Sequence, residues 1–543
     1  MTDNGDVQIN IEPVGPGPEV IDEVSQALAE NYSLQEHLAE IRSRLLSIEL
    51  LDPVGTDRAE GLEPDRYLAT YFDYTNNQVK RVTGRLDDIQ GSMEVSDSIE
   101  QPLPTREEFE EAVEILRADS DLGPAISERR VEPQPAMPPL LTEATRPDGR
   151  IDRTLSVLLL SRSNSQPEAR NETVGVNMID RTVLRFPEGA PSGALASDVA
   201  CGRPWRPPDQ VPTPRGWPGS YLVTIPQADG TPLWRFLVYR PSYSRGTNGS
   251  GVTLLEVDYR GKRVLRRAHV PILNIRYDGD VCGPFRDWLY EESYIQANGT
   301  VVAPGILLCP TPAQTIIESG NDSGNFRGVA IYRQGQEVVV VSELEAGFYR
   351  YVSQWRLHDD GTIRPRFGFS AVQNDCVCHI HHHHVYWRFD FDIGTAANNV
   401  VSEYNSTPIT TSGNWHVNRW EVMRPRNQAL SRRWKIENST TGDAYTLIPG
   451  ANDGEADAFG RGDVWILRSY DTQEIDDGID AGLSHANLPQ PNAPAEIGRF
   501  INAESTENQN VVIWYAAHFT HNVSAEAGEI GHYVGPELTP VQW

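Results

Sequence analysis

Apolar residues change their spacing along this chain of 543 residues, and the change predicts distinct structural regions. Between Val20 and Leu51 they recur every three or four positions, which is the spacing of one helix face and predicts a helical stretch. Alternating apolar and polar residues around Tyr67–Tyr74 predict strands. We therefore expect residues 1–102 to form a small α+β domain.

A second helix is predicted directly after Pro104. Thr105 is followed three residues later by Glu108, which is the form of a capping box, and an apolar helical stripe comes next. Prolines between residues 133 and 139 predict a break, and the apolar run Leu155–Leu160 predicts a buried strand. These features predict a second small α+β domain.

The remainder of the chain has a different pattern. The proline-rich tract Arg203–Pro214 predicts a linker that ends the second region, residues 103–214. From there to Trp543, short alternating segments are separated by Gly, Asn, Asp and Pro, with little helical spacing. The predicted fold class is therefore two α+β N-terminal domains followed by a large all-β sandwich, residues 215–543.

The chain is strongly acidic, with a formal net charge of -29 and a pI near 4.8. Such a charge argues against nucleic acid and anionic membranes as partners, because both require Lys and Arg to neutralise phosphate. No apolar run approaches the ~20 residues of a membrane span, and the first residues lack the pattern of a signal peptide. We expect a cytoplasmic protein, or one whose leader was removed before this numbering begins. Five cysteines are too few for a disulfide scaffold but leave room for one pair.

Five of the 13 histidines lie within Cys376–Ile393, directly before a segment that alternates like a strand. Residues i and i+2 of a strand share a face, so His381 and His383 can reach one metal ion, and imidazole suits Cu(II), Zn(II) or iron. A third ligand must then come from elsewhere in the chain. A histidine run can also be a solvated surface cluster or a disordered metal-scavenging tract, but Val385–Asp392 is too apolar and regular for such a tract.

The stretch His381–Ile393 resembles the copper-ligand strand of the copper-containing, topaquinone-dependent amine oxidases, where His-x-His precedes an Arg/Lys-x-Asp strand. Alignment on Arg388 assigns the first two copper ligands of that family to His381 and His383. The resemblance also implies the family's fold for the β-sandwich region.

A second segment, Val511–His521, is similar to the stretch that carries the family's third copper ligand. There a Val-Val-x-Trp motif is followed by a histidine seven residues after the Trp, which leads from Trp514 to His521. His518 is an additional candidate that could instead support a ligand or pack in the core. Two separate segments meeting at one metal ion are a stronger indication than either alone.

The family's quinone cofactor is made from a tyrosine in a Gly-Asn-Tyr-Asp/Glu turn, and the similar stretch here begins at Gly347 and assigns the precursor role to Tyr349. Trp355 and the later Asp-Gly-x-Ile strand pair occupy the expected places. Phe348 and Arg350 depart from the motif, and we expect the charge of Arg350 to favour an oxyanion on the modified ring. The alternative is that Tyr349 is an ordinary core tyrosine near a metal.

Other residue roles follow from the same resemblance. The segment that ends at Tyr277 assigns to it the tyrosine that contacts the quinone, and the catalytic base lies fourteen residues later, at Glu291. Asp287 is the fallback for the base, and either acid could instead lie on the surface. The place of the family's first disulfide cysteine falls near Cys309, with Cys282 as its expected partner.

Two further features accompany the histidine segment. Asp390, Phe391 and Asp392 match the family's peripheral calcium-type site, and Asn510 stands where an acid is usual. Cys376 and Cys378 have no counterpart in the family pattern: they could be soft ligands during copper loading, a redox pair or buried thiols.

The resemblance implies a homodimeric enzyme that uses copper, topaquinone and O₂ to oxidise a primary amine to an aldehyde, with release of ammonia and H₂O₂. The alternative is a copper-binding protein or a quinone-free copper oxidase on the same fold, with an unmodified Tyr349. A zinc hydrolase is less favoured, because the sequence has no His-Glu-x-x-His or comparable base arrangement.

Overall fold

The structure is a computed structural model. It describes residues 8–14, 19–51, 65–99, 101–102, 104–141, 152–161, 172–185, 201–203, 219–240, 251–277, 284–286, 291–303, 305–346, 348–372, 375–411, 413–458, 460–470, 495–522 and 532–543. Most of the predicted linker Arg203–Pro214 lies outside these ranges.

The N-terminal part contains short helices and two four-stranded antiparallel sheets. Its first elements are β1 (Asn10–Val14), α1 (Glu19–Glu30), α2 (Tyr32–Ala39), β2 (Ser43–Leu51), β3 (Arg66–Asp73), β4 (Gln78–Arg85) and β5 (Glu94–Ser98). They are followed by α3 (Arg106–Ala118), α4 (Gly123–Ser127), β6 (Val131–Leu141), β7 (Thr154–Ser161), β8 (Glu172–Asn177) and β9 (Thr182–Leu184). The strand orders are β2-β3-β4-β5 and β6-β7-β8-β9.

The strands predicted around Tyr67–Tyr74 and Leu155–Leu160 are confirmed, and so is the capping box of Thr105 and Glu108. The helix predicted up to Leu51 is wrong in its last part, Ser43–Leu51, which forms β2. Pairing with a neighbouring strand determines the conformation of this segment, because β2 pairs along its whole length with β3.

The break predicted between residues 133 and 139 is also wrong, because these prolines lie inside β6. That strand is at the edge of its sheet, and its register with β7 is irregular between Pro135 and Leu140. An edge strand tolerates proline, since its outer N–H groups have no ladder partner to lose.

The two small sheets share a core, and a hydrogen bond from the first region reaches a buried ion pair of the second. Arg153 binds Glu108 at 2.6 Å, and the Tyr74 hydroxyl donates to the same carboxylate at 2.5 Å. Strand β1 pairs instead with β10 of the large β region. The two N-terminal regions therefore pack against each other through a shared core. The domain boundary at residue 102 stays a prediction.

The third region is rich in strands, as predicted. Its elements are β10 (Gly219–Pro226), β11 (Pro232–Arg240), β12 (Thr253–Tyr259), β13 (Lys262–Tyr277), β14 (Pro284–Arg286), β15 (Glu291–Glu292), β16 (Tyr294–Ile295), β17 (Thr300–Ala303), β18 (Ile306–Cys309), α5 (Ile316–Ser319), β19 (Phe326–Arg327), β20 (Val329–Gln334), β21 (Glu337–Ala346), β22 (Tyr349–His358), β23 (Ile363–Ala371), a 3₁₀ turn (Asp375–Cys378) and β24 (His381–Phe391). They continue with β25 (Asn399–Tyr404), β26 (Trp415–Asn418), β27 (Val422–Arg424), β28 (Arg433–Asn438), β29 (Ala444–Ile448), β30 (Val464–Arg468), α6 (Ala495–Gly498), β31 (Val511–His521), β32 (His532–Val534) and β33 (Glu537–Gln542).

Two large sheets form the sandwich. The first has the order β1-β10-β11-β12-β13-β24-β31-β30-β27, and the second has β17-β18-β20-β21-β22-β23-β33-β29-β28-β25-β26. Side chains from both sheets share one buried cluster, which includes Trp387 and Phe389 of the first sheet and Tyr351 and Trp355 of the second. We call the faces that meet in this cluster the inner faces.

Candidate metal centre

Three neighbouring strands of the first sheet bring the predicted metal ligands into one row. Tyr277 of β13 lies opposite His381 of β24, which lies opposite His521 of β31. Directly opposed residues of a ladder share a face, and His383 shares it too because it is two residues from His381. The row is on the inner face, so all three predicted copper ligands converge inside the sandwich.

The His381 ring is held in a tautomer that suits metal binding. Its Nδ1 lies 2.7 Å from the His379 carbonyl oxygen, which can only accept, so Nδ1 carries the hydrogen and Nε2 carries a lone pair. That Nε2 lies 3.2 Å from His521 Nδ1. Two nitrogens bound to one ion at about 2.0–2.1 Å are separated by roughly 3.0–3.4 Å, so this spacing fits a shared metal.

Burial keeps these rings neutral. Loss of solvent, with a smaller effect of His521, lowers the pKa of His381 to about 3, and burial also lowers the pKa of His383 well below its ordinary value. Neutral imidazole is the form that binds a metal. Among the described residues, no three His, Cys, Asp or Glu side chains already surround a common point, so metal binding at this row would require at least one ring to move.

Tyr349 reaches the same place from the second sheet. Its ring centroid lies 5.1 Å from that of His383 and 5.9 Å from that of His381. Its hydroxyl oxygen lies 2.5 Å from that of Tyr277. The predicted cofactor precursor therefore faces the predicted ligands, although Gly347 lies outside the described residues.

The position of Arg350 corrects one expectation. Adjacent residues of a strand face opposite sides, so its guanidinium lies on the outer face, where it forms a bidentate pair with Asp322 at 2.7 and 3.1 Å. It reaches back only to the Tyr349 main chain, where it donates to the carbonyl oxygen at 2.9 Å. Its charge is thus compensated by Asp322 and does not favour an oxyanion on the ring.

The register of β15 bears on the predicted base. Glu291 lies opposite Glu345, in the row that includes the outward-facing Arg350. Its neighbour Glu292 is buried and lies opposite Leu344, whose row continues to the inward-facing Tyr351. Glu292 is thus the β15 carboxylate in register with the inner face, and the assignment of the base to Glu291 stays a prediction. The fallback, Asp287, lies outside the described residues.

The disulfide prediction was wrong. Cys309 is a free, buried thiol, and the disulfide joins Cys201 to Cys378, which excludes Cys378 as a free ligand or as the partner of Cys376. The expected partner, Cys282, lies outside the described residues, as does the Cys376 side chain. The bond anchors the chain three residues before His381.

The residues of the predicted calcium site lie near one another. Asp390 and Asp392 are both buried, and the Ser469 hydroxyl donates to Asp390 at 3.1 Å. The Ser469 N–H donates to the Asn510 carbonyl oxygen at 2.9 Å. Arg388 lies 3.7 Å from Asp390, so its charge would compete with a bound cation. Phe391 is buried in the sandwich core.

The additional candidate His518 is not part of the inner row. It is three residues from His521 on the same strand, so its ring faces the outer side, where its Nδ1 lies 2.8 Å from that of His384. Only the strand register could have revealed this pair, because the two histidines are 134 positions apart.

Comparison with known proteins agrees with this geometry. Residues 364–529 match the family described as copper amine oxidase, enzyme domain. No curated protein matches the sequence. None of the helices in the described parts of the chain is both long and apolar enough to cross a membrane.

Several solved structures share the fold along the whole chain. A copper-containing benzylamine oxidase from Hansenula polymorpha superposes with a TM-score of 0.63 at 14% identity, covering 97% of each chain. A lysyl oxidase from Pichia pastoris gives 0.55 at 11% identity, covering 97% of this chain and 89% of that one. An amine oxidase from Aspergillus nidulans gives 0.54 at 13% identity, with 97% and 88% covered. The predicted fold class and the resemblance to copper amine oxidases are confirmed, with wide sequence divergence.

Proposed function

We propose that this chain is a copper-dependent oxidase that converts a primary amine and O₂ to an aldehyde, ammonia and H₂O₂. The observation that carries the proposal is the position of Tyr349, whose ring faces His381 and His383 across the sandwich. A match of residues 364–529 to the copper amine oxidase enzyme domain supports it.

Copper would be held by Nε2 of His381, by Nδ1 of His521 and by His383. Copper would supply the redox chemistry with O₂ needed to convert Tyr349 to topaquinone, and the quinone would supply the carbonyl chemistry toward the amine. The geometry of the His381–His521 pair and the neutrality of the buried rings fit such an ion.

The chain's own residues would do the rest. The Tyr277 hydroxyl holds the Tyr349 oxygen in place, and the sandwich core excludes water from both rings. A carboxylate of β15 takes the α-proton of the amine. We propose Glu291 or Glu292 for this role, and the register favours Glu292.

Assembly and the second cation site are further parts of the proposal. A homodimer would cover the exposed apolar side chains Trp415, Trp420 and Met423 near the sheet edges at β26 and β27. The oxygen atoms of Asp390, Phe391, Asp392 and Asn510 would hold a calcium-type cation.

The alternative is a quinone-free copper protein on the same fold. The close packing of Tyr349 favours it, because the ring is 2% exposed and lies between Phe348 and Tyr351. Little room is then left for O₂ beside the ring unless a neighbour moves.

An absorption spectrum tests the two functions. Copper-loaded protein should develop a visible quinone band that phenylhydrazine shifts, and it should release H₂O₂ when primary amines are added. Stoichiometric copper without a phenylhydrazine-sensitive band would favour the quinone-free alternative.

A further inference from the structure

A second histidine cluster lies on the outer face of the strands that carry the candidate copper centre. Strand alternation turns His382 and His384 away from His381 and His383, and pairing with β31 places Thr520 and His518 beside them. Together they line a cavity of about 530 Å³, whose other side is lined by residues of the loop between β29 and β30, from Ala451 to Asp457. Strand alternation turns the rings of His382, His384 and His518 to the side of the sheet opposite the inner row, although the cavity also borders Phe519 and His532.

The hydrogen bonds of this cluster determine where its lone pairs lie. His518 Nε2 faces two acceptors, the Gly462 carbonyl oxygen at 3.0 Å and the Asp463 carboxylate at 3.1 Å, so it carries the hydrogen. The Nδ1 of a neutral His518 then accepts from His384 Nδ1, which is 2.8 Å away. This leaves the lone pair of a neutral His384 ring on Nε2.

That lone pair faces a carboxylate. His384 Nε2 lies 3.5 Å from Asp457 Oδ2, beyond the usual length of a hydrogen bond. Two ligands bound to one zinc-type ion at about 2.1 Å in tetrahedral geometry are about 3.4 Å apart. An imidazole nitrogen and a carboxylate oxygen are both ligands that such an ion prefers.

The loop holds the carboxylate in this position. Asp457 Oδ1 accepts the Gly460 N–H at 2.6 Å, which leaves Oδ2 directed at His384. Gly460 lies so close to the His384 ring that a Cβ there would come within 2.1 Å of Nδ1. Arg426 ties the loop to β31 by donating to the carbonyl oxygens of Gly454 and Ala516 at 2.8 and 2.7 Å. The pair is therefore built into the fold.

We propose that His384 Nε2 and Asp457 Oδ2 form a second metal site, which binds a zinc-type divalent ion facing the cavity. His382 lies two residues before His384 on the same face, so it can provide a third ligand if its ring turns, and water from the cavity completes the shell. The proposal does not depend on amine oxidation, because it concerns the opposite face of the sheet.

Zinc binding to copper-loaded protein tests this site. Full-length protein is loaded with one equivalent of copper, equilibrated with Zn²⁺ by dialysis and analysed for both metals. We expect one zinc per chain in addition to copper. Asp457→Asn and His384→Ala should each weaken zinc binding by about tenfold or more.

Two features of the design keep the result interpretable. Asn at position 457 retains an oxygen for the Gly460 N–H, so a loss of zinc cannot be attributed to a collapsed loop, even if His384→Ala disturbs folding. Glu455→Gln is the matched control, because it removes the same charge from the same cavity wall and should retain zinc. Absence of zinc from the wild type, equal zinc in the wild type and Asp457→Asn, or equal loss in Glu455→Gln would each overturn the proposal.

Discussion

The hydroxyl oxygens of Tyr277 and Tyr349 lie 2.5 Å apart, although the two residues belong to opposite sheets of the sandwich. Tyr277 ends β13 and Tyr349 begins β22, so this hydrogen bond joins the two layers at the candidate metal centre. It orients the ring proposed to be modified, since an aromatic ring can otherwise turn about its bonds to the backbone.

Tyr277→Phe should therefore reduce amine oxidation without reducing copper binding. One lost hydrogen bond of about 1 kcal/mol corresponds to a roughly fivefold lower rate. Oxygen uptake at saturating amine, measured together with the copper content, checks this. An unchanged rate would mean that the hydroxyl contact does not position Tyr349.

Copper binding should depend on three of the clustered histidines. At one equivalent of copper, His381→Ala, His383→Ala and His521→Ala should each lose most tightly bound copper, because each removes one proposed ligand. His379→Ala is the matched control, since His379 contributes its backbone carbonyl to His381 and alanine retains that group. Metal analysis after dialysis measures the effect, and equal losses in all four variants would indicate diffuse binding along the run.

Sequence patterns predicted the parts of this centre that depend on local spacing. The i, i+2 positions of His381 and His383 place both on one strand face. The resemblance to the amine oxidases, rather than spacing alone, points to His521, which lies opposite His381. Short-range patterns also predicted the helix that begins after Thr105.

Features that depend on distant pairing could not be predicted in this way. The disulfide joins cysteines 177 residues apart, and five cysteines allow many pairings. The helical spacing up to Leu51 was misleading, because an apolar segment of that length becomes a strand when a partner such as β3 lies beside it. The face of Glu292 likewise follows from its register with β21 rather than from its distance to Tyr277 along the chain.

The two glutamates of β15 should differ in their effect on the reaction. If the inner-face register assigns the base, Glu292→Gln should lower kcat by about 10²-fold or more, whereas Glu291→Gln should have little effect. The pair is internally matched, because both variants lose one charge from the same short strand. Steady-state kinetics with a deuterated amine would measure both variants, and the reverse order would restore Glu291 as the base.

Glu343 should make the stability of the fold sensitive to pH. Burial raises the pKa of this carboxyl from 4.5 to about 8, with the Asp322 charge adding to the effect and the Ile316 N–H opposing it. Because the folded protein binds this proton more tightly than the unfolded chain, its contribution is complete below about pH 4.5 and is lost as the pH rises through about 8.

Glu343→Gln should therefore flatten the fall in melting temperature between pH 5 and pH 9 by several degrees, since the amide stays neutral throughout. Thermal unfolding followed by circular dichroism at a series of pH values measures this. Glu345→Gln provides the control. The Glu345 side chain is 30% exposed and lies 3.5 Å from Arg350, whose charge also acts on Glu343. Parallel curves for the wild type and Glu343→Gln would contradict the assignment.

The last prediction concerns Tyr349 itself, on which the proposed function depends. Conversion to topaquinone requires a ring beside copper and an open edge for O₂. The ring centroid of Tyr349 lies 5.1 and 5.9 Å from those of His383 and His381, which are proposed copper ligands. The open edge for O₂ is restricted, because the ring centroids of Phe348 and Tyr351 lie 4.7 and 5.5 Å from that of Tyr349.

We therefore expect Tyr349 to be modified slowly, and Phe348→Ala to accelerate the modification by opening one side of the ring. Peptide mass spectrometry during aerobic copper loading should show the Tyr349 peptide gaining two oxygens and losing two hydrogens. Tyr351→Phe serves as a control, since it retains the ring that packs against Tyr349. If the peptide keeps the mass of unmodified tyrosine in wild type and Phe348→Ala while copper is fully bound, the amine oxidase proposal fails and the quinone-free copper protein becomes the better account.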